Sequence, residues 1–225
     1  MIFIHEPVDL KYGDLVCETL SSGRTYLTPE GKKYPSITTV LGILSADAIR
    51  EWRARVGEEV ANKISQKACI RGTNVHTIVE KFISNEPLPK MMPDVMESFI
   101  TLRPILLFRL GKIFLQEKPL YSDYLGVAGR VDLVAEFDGK ISIVDIKTSK
   151  REKDKDDIHS YFMQESAYAI MFEERTGVPV SQLVTVMAVD GSEPRVFIEK
   201  RDNWAPKLLE TIAEYKRQKL FGHVR

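Results

Sequence analysis

The chain has 225 residues, 44% hydrophobic and 28% charged, with 32 Lys plus Arg balanced by 32 Asp plus Glu. That length suits one domain with a substantial core, and a formal net charge of zero excludes a protein that holds a polyanion or a membrane by its overall field. Cys17 and Cys69, the two cysteines, cannot complete a four-thiolate zinc or iron–sulfur site and read as isolated thiols of a reducing compartment.

No run approaches the roughly 18 apolar residues of a membrane span, so none is expected. The start, Met1 to Asp9, lacks the basic region of a secretory signal, and a cytosolic protein is expected. Residues 1–35 are turn-rich, with a short strand at Arg24–Thr28. Ser36 is a capping residue that opens a short helix. Good helix formers run from Ala46 to about Lys67, and a second helical pattern follows at 74–83. Three prolines between Asn85 and Pro93 make a linker. Residues 94–110 are helical, with a kink or break at Pro104. A strand at 112–121 precedes two apolar, β-branched runs at 129–137 and 140–146 that flank Asp138-Gly139. Residues 147–157 form a charge-dense loop. A helix at 160–175, a strand at 183–189, a short strand at 195–198 and a helix at 204–220 complete the chain. This order predicts an α/β sandwich around a small mixed sheet, with residues 1–70 as an N-terminal helical extension, 71–200 as the core and 201–225 as a C-terminal helix.

Asp-Gly between alternating strands is the strongest short-range signal for a two-residue hairpin. A turn that pairs Phe137 with Lys140 carries the register to Asp132 opposite Asp145, with Cβ atoms roughly 4.5–5.5 Å apart. Lys147 shares the face of Asp145, because side chains alternate with period two. Like charges opposite one another destabilise a sheet, and a divalent cation between them offsets the repulsion. A strand-end Asp facing water is the plainer reading for either residue alone; two in register with a lysine favour a metal site.

His76 and Glu80 are four apart and share a helix face. A lone helical histidine is usually a core or surface residue, as His5, His159 and His223 are taken to be; His76 gains weight from the carboxylates elsewhere, since imidazole suits Mn²⁺-tolerant sites. Glu80 reads as a surface residue or a support for the ligands. Glu117, on the strand before the hairpin, is equally open, and so are Gln164 and Tyr168, which share a helix face. Lys150 and Arg151 sit in the basic half of the charged loop, where a phosphate backbone could pass. Arg50, Trp52 and Arg53 combine cations with an aromatic ring as single-strand grooves do, although an amphipathic helix with Trp52 in its core explains them as well.

Together, His76, Asp132, Asp145-Ile146-Lys147 and Gln164-x-x-x-Tyr168 resemble the PD-(D/E)xK nuclease superfamily. The upstream histidine and the Gln-x-x-x-Tyr pair are similar to its RecB-like branch. Tyr34-Pro-Ser-Ile-Thr-Thr-Val-Leu41, Arg71 to Glu80 and Val144 to Ser149 look most like the grouping of the mitochondrial genome maintenance exonuclease with its phage and bacterial relatives. The resemblance implies a restriction-endonuclease-like core and a Mg²⁺ or Mn²⁺ ion ligated by His76, Asp132, Asp145 and the Ile146 carbonyl. It also implies that Lys147 orients or activates the attacking water, while Gln164 and Tyr168 position the DNA or the lysine. Asp145 stands where the superfamily also uses Glu, which shortens its reach, and the four-cysteine cluster of the iron–sulfur relatives is missing. The expected activity is a metal-dependent DNA exonuclease of single strands or free ends that leaves 5′-phosphates, in a bacterial or host cytoplasm. Helices at 46–67 and 94–110 would frame its channel. The rivals are a structure-specific endonuclease, a nuclease subunit directed by a replication or recombination partner, and a catalytically silent DNA-end-binding module.

Overall fold

The computed structural model describes residues 2–222; His223 lies outside the described residues. Strands β1 (Val16–Leu20), β2 (Gly23–Leu27) and β3 (Lys33–Pro35) form a small antiparallel sheet. Helices α1 (Ile37–Leu41), α2 (Ala46–Val56), α3 (Glu58–Ile83) and α4 (Pro93–Arg109) follow. The main sheet is built from β4 (Leu110–Ser122), β5 (Val127–Phe137) and β6 (Lys140–Ser149), then β7 (Gln182–Val189) and β8 (Arg195–Lys200), in chain order across the sheet. Helix α5 (His159–Thr176) is the crossover that makes β6 and β7 parallel, whereas every other neighbouring pair is antiparallel. Helix α6 (Arg201–Leu220) closes the chain.

The main sheet is covered on both faces. On one, Ile143, Leu183 and Met187 pack with Ile37, Phe162, Phe172 and Leu208 of α1, α5 and α6. On the other, Val144, Ile146 and Val184 pack with Val75, Ile78, Phe99 and Leu102 of α3 and α4. The result is the mixed sheet flanked by helices that the sequence predicts, consistent with a restriction-endonuclease-like fold.

Local chemistry explains the boundaries. Ser36 Oγ accepts the Thr39 amide at 3.0 Å and caps α1. Gly177 takes a left-handed φ of 74° and returns its N–H to the Glu173 carbonyl, ending α5. Asp138 and Gly139 have φ of 51° and 75°, the left-handed pair that a two-residue hairpin of the expected type requires.

Four expectations need correction. The helical stretch at 46–67 is divided at Gly57, whose φ of 86° no helix tolerates. Helix α3 then runs unbroken from Glu58 through Gly72 to Ile83; Gly72 weakens a helix by only about 1 kcal/mol, and burial of Val75, Ile78, Val79 and Ile83 outweighs that. Pro104 does not end α4, because it sits on the exposed face, where water can take the carbonyl left without a partner. Strand β6 continues to Ser149 rather than yielding to a loop at 147, since Lys147, Thr148 and Ser149 pair with Met187, Ala188 and Val189. Among the described residues no helix is long and apolar enough to cross a membrane.

Candidate active site

The hairpin register holds from Phe137↔Lys140 to Leu133↔Val144, the pair just before Asp132 and Asp145. There the backbone ladder stops and a side chain replaces it: Asp132 Oδ2 accepts the Ile146 amide at 2.8 Å. On the other side of β5, Gln116↔Leu133 and Lys118↔Val131 bracket Glu117 and place it opposite Asp132. Adjacent strands therefore bring three carboxylates into one row. Helix α3 packs across that row and lowers His76 onto it, with Nδ1 3.4 Å from Asp132 Oδ1 and 3.8 Å from Glu117 Oε1.

His76, Glu117 and Asp132 offer donor atoms within 4.8 Å of one another. Glu117 has φ of 48°, a left-handed conformation that costs a residue with a side chain on the order of 1–2 kcal/mol. Arg130 donates to its carbonyl and helps to hold it there. Strained backbone of this kind concentrates at functional sites.

Asp145 is almost wholly buried beside this cluster, held by different partners. Lys147 Nζ lies 2.5 Å from its Oδ2, and Gln164 Nε2 donates to its Oδ1 at 3.1 Å. Lys147 in turn lies over the Tyr161 ring, 5.1 Å from its centroid. Tyr161, Gln164 and Tyr168 follow one another at i, i+3 and i+7 on a single face of α5. Tyr168 is buried and packs so closely on β5 that a Cβ at Gly129 would stand 2.8 Å from its ring and 2.9 Å from its hydroxyl. Gly129→Ala is expected to cost about 1–3 kcal/mol by overpacking and to lower the melting temperature by several degrees; a thermal melt indistinguishable from the parent would show that Tyr168 yields freely.

The electrostatics follow from burial and charge. Burial alone would lower His76, but the Asp132 carboxylate, with Glu117 and Asp145, outweighs it and pushes the imidazole up to about 11. Burial would raise Asp132, yet His76, Lys147 and the Ile146 amide hold it below the usual carboxylate range. Burial raises Glu117, reinforced by Asp132 and Glu80 and opposed by His76. Burial lifts Asp145 to about 6, against the pull of Lys147. Lys147 itself rises, because Asp145 and Asp132 outweigh its desolvation.

A further carboxyl, Glu165, is fully buried behind Asp145. One oxygen accepts the Thr185 hydroxyl and the other has no partner; burial, then Asp145, raises it well above the ordinary range. An acid with a raised folded-state value contributes stability that is complete below about 4.5 and lost as pH rises toward that value. Glu165→Gln, which cannot titrate, is thus expected to gain on the parent as pH increases from about 4.5. The slope is about 1.4 kcal/mol per pH unit, or on the order of 3–5 °C in melting temperature. Parallel melting curves across that range would refute it.

The remaining candidates fall elsewhere. Glu80 flanks the cluster and its carbonyl accepts Gln116 Nε2 at 2.8 Å. Lys150 and Arg151 follow the end of β6. Arg50 pairs with Asp47 at 2.6 Å, and Arg53 is engaged by Glu58 and Asn62. Neither arginine nor Trp52 lines the cluster. Sequence reasoning left Glu117 open and missed Gly129, Tyr161 and Glu165; for Tyr161 the i, i+3, i+7 spacing was a usable signal.

An α/β sandwich that sets a histidine–carboxylate cation cluster next to a buried Asp–Lys pair has the layout of a metal-dependent hydrolase of phosphate esters. The sequence profile of the PD-(D/E)XK nuclease superfamily matches residues 102–221, and the chain belongs to that superfamily. The matched segment carries Glu117, Asp132, Asp145, Lys147, Gln164 and Tyr168, while His76 lies upstream of it. Membership makes the protein a nuclease, its substrate a nucleic acid and its cofactor a divalent metal ion. A similar solved structure is that of a Eubacterium rectale protein carrying a provisional exonuclease name, with 13% identity over 69% of each chain and a TM-score of 0.44. No curated protein matches the chain.

Proposed function

We propose that the chain is a DNA exonuclease of the RecB-like branch, one nuclease domain with residues 1–70 as an extension, acting on single strands or free ends in a cytoplasm. The observation that carries this reading is the convergence of His76, Glu117 and Asp132 next to the Asp145–Lys147 pair. One imidazole nitrogen with carboxylate oxygens is a donor set that fits Mn²⁺ or Mg²⁺. His76, Asp132 and Glu117 would hold the ion, with Asp145 and the Ile146 carbonyl next in the row. When bound, it supplies a lowered pKa for a coordinated water and neutralisation of phosphate charge.

The chain's own groups do the rest. Gln164 fixes one oxygen of Asp145 and so orients the carboxylate. Lys147, protonated between Asp145 and Tyr161, donates to a phosphate oxygen or to the attacking water and offsets charge that builds on phosphorus. Tyr168, wedged against Gly129, keeps α5 at a fixed height over β5 and β6. Attack on phosphorus would leave a 5′-phosphate and a 3′-hydroxyl.

The test is a gel assay on end-labelled linear and circular single-stranded DNA, with EDTA, Mg²⁺ or Mn²⁺. Metal-dependent shortening of the linear strand alone is expected. A cut circle would replace the exonuclease with an endonuclease, and no cleavage of either form would leave a binding module or a partner-dependent subunit.

A further inference from the structure

On the face of the main sheet that α3 and α4 cover, a groove of about 580 Å³ opens between α3, the start of α4 and the ends of β6 and β7. Its wall is apolar and unusually bare: Met92 is 66% exposed, Ile70 54% and Ile64 39%. Large apolar side chains gathered at one place on a surface mark a binding site. Lys67 and Lys150 line the same groove, and among the described residues neither forms an ion pair. Opposing them, Asp94 lies in the first turn of α4, where the helix dipole already favours a negative charge.

The end wall is rigid. Arg71 donates to Asp190 at 2.8 Å and to Ser98 at 2.8 Å, tying α3 to α4 and to the end of β7. Its charge is therefore neutralised, and the groove is formed before anything enters it, which reduces the ordering cost of binding.

Two elements join the groove to the catalytic residues, which they present on their opposite faces. Thr148 follows Lys147 on β6, and Asn74 precedes His76 by two residues on α3. From His76 back to Ile64 the helix spans about 18 Å, the length of several stacked nucleotides at about 3.4 Å each. We infer that this groove binds unpaired nucleotides adjoining the scissile phosphate, their bases against Ile64, Ile70 and Met92 and their phosphates on Lys67 and Lys150. The inference rests on the nuclease reading above and gives it a physical basis for choosing unpaired strands. Exposed bases can stack on apolar side chains, whereas a duplex hides its bases and offers these side chains little but sugar and phosphate.

The experiment measures binding of a fluorescent single strand in EDTA, by anisotropy, against the same strand with abasic sites in place of its bases. The parent is expected to bind the base-bearing strand at least about tenfold more tightly. In the double variant Ile70→Ser with Met92→Ser that preference shrinks severalfold, read as a ratio within one protein. As an independent variant, Lys67→Gln with Lys150→Gln is expected to lower the slope of log affinity against log salt by about 1.4, near 0.7 for each phosphate no longer neutralised.

A preference that survives the apolar substitutions, or a parent that does not distinguish abasic strands, overturns the inference. So does a concentration-dependent dimer in light scattering that Ile70→Ser with Met92→Ser dissolves, which would give the groove to a second copy of the chain. Hydrolysis of bis(p-nitrophenyl) phosphate by the parent tests the nuclease reading separately. A protein that discriminates bases but hydrolyses no diester with Mg²⁺ or Mn²⁺ keeps the groove and loses the proposed activity.

Discussion

Asp132→Asn is expected to abolish metal-dependent cleavage, by about 10³-fold or more, in a chain that still folds. Asp132 uses both oxygens: Oδ1 faces His76 at 3.4 Å and Oδ2 accepts the Ile146 amide at 2.8 Å. An amide has one oxygen, so keeping the Ile146 bond turns its NH₂ group toward His76. The imidazole then loses the main charge that lifts it to about 11, sheds its proton and leaves no buried cation without a partner. That relief is why the fold survives and why cation binding does not, since a carboxylate has become a donor. Titration calorimetry with Mn²⁺ should give a measurable heat for the parent and none for the variant. For the parent it should also show proton release, because a protonated His76 must give up its proton to ligate. Retained cleavage and Mn²⁺ affinity in a folded Asp132→Asn protein would move the centre away from this cluster.

Much of this site was legible from the hairpin alone. Asp138-Gly139 sets the register, which holds to Leu133↔Val144 and so brings Asp132 and Asp145 to the point where the two strands part. Gln164 and Tyr168 were legible as a shared helix face. That Gln164 reaches Asp145 depends on the packing height of α5, which the sequence encodes only through contacts such as Tyr168 on Gly129. Glu117 was ambiguous for a similar reason. Its place opposite Asp132 follows from the turn at 123–126, which carries no Asp-Gly signal, and its left-handed φ is imposed by neighbouring strands, against the preference of a glutamate.

The helices before residue 84 were read less well, for a different physical cause. Helix α2 has no buried residue and α3 buries only Ala61 before Val75, so no apolar stripe marks where they begin and end. Their exposed apolar side chains dilute the pattern that sequence reasoning relies on. Two of those side chains, Ile64 and Ile70, line the groove assigned above to bases, together with Met92 of the linker to α4.

Lys147→Met is expected to lower single-turnover cleavage by about 10²–10³-fold while leaving Mn²⁺ affinity near that of the parent. His76, Glu117 and Asp132, the residues with converging donors, are untouched by the change, and methionine matches the length of the lysine's aliphatic stem. Asp145 would be left without its counter-charge and, already raised to about 6, would rise further and take up a proton near neutral pH. The site therefore stays folded with a neutral acid hydrogen-bonded by Gln164. Lys147→Arg should not restore the rate, because a planar guanidinium cannot replace an ammonium held 2.5 Å from Asp145 Oδ2. The pH profile separates the two roles open to the lysine. Asp145 and Asp132 hold it above its ordinary range, so it works as a donor of charge and hydrogen bonds, and Lys147→Met should lower the plateau without moving the basic limb. Loss of an acid limb in the variant would instead make Lys147 the proton acceptor, and a rate equal to the parent's would remove it from the chemistry.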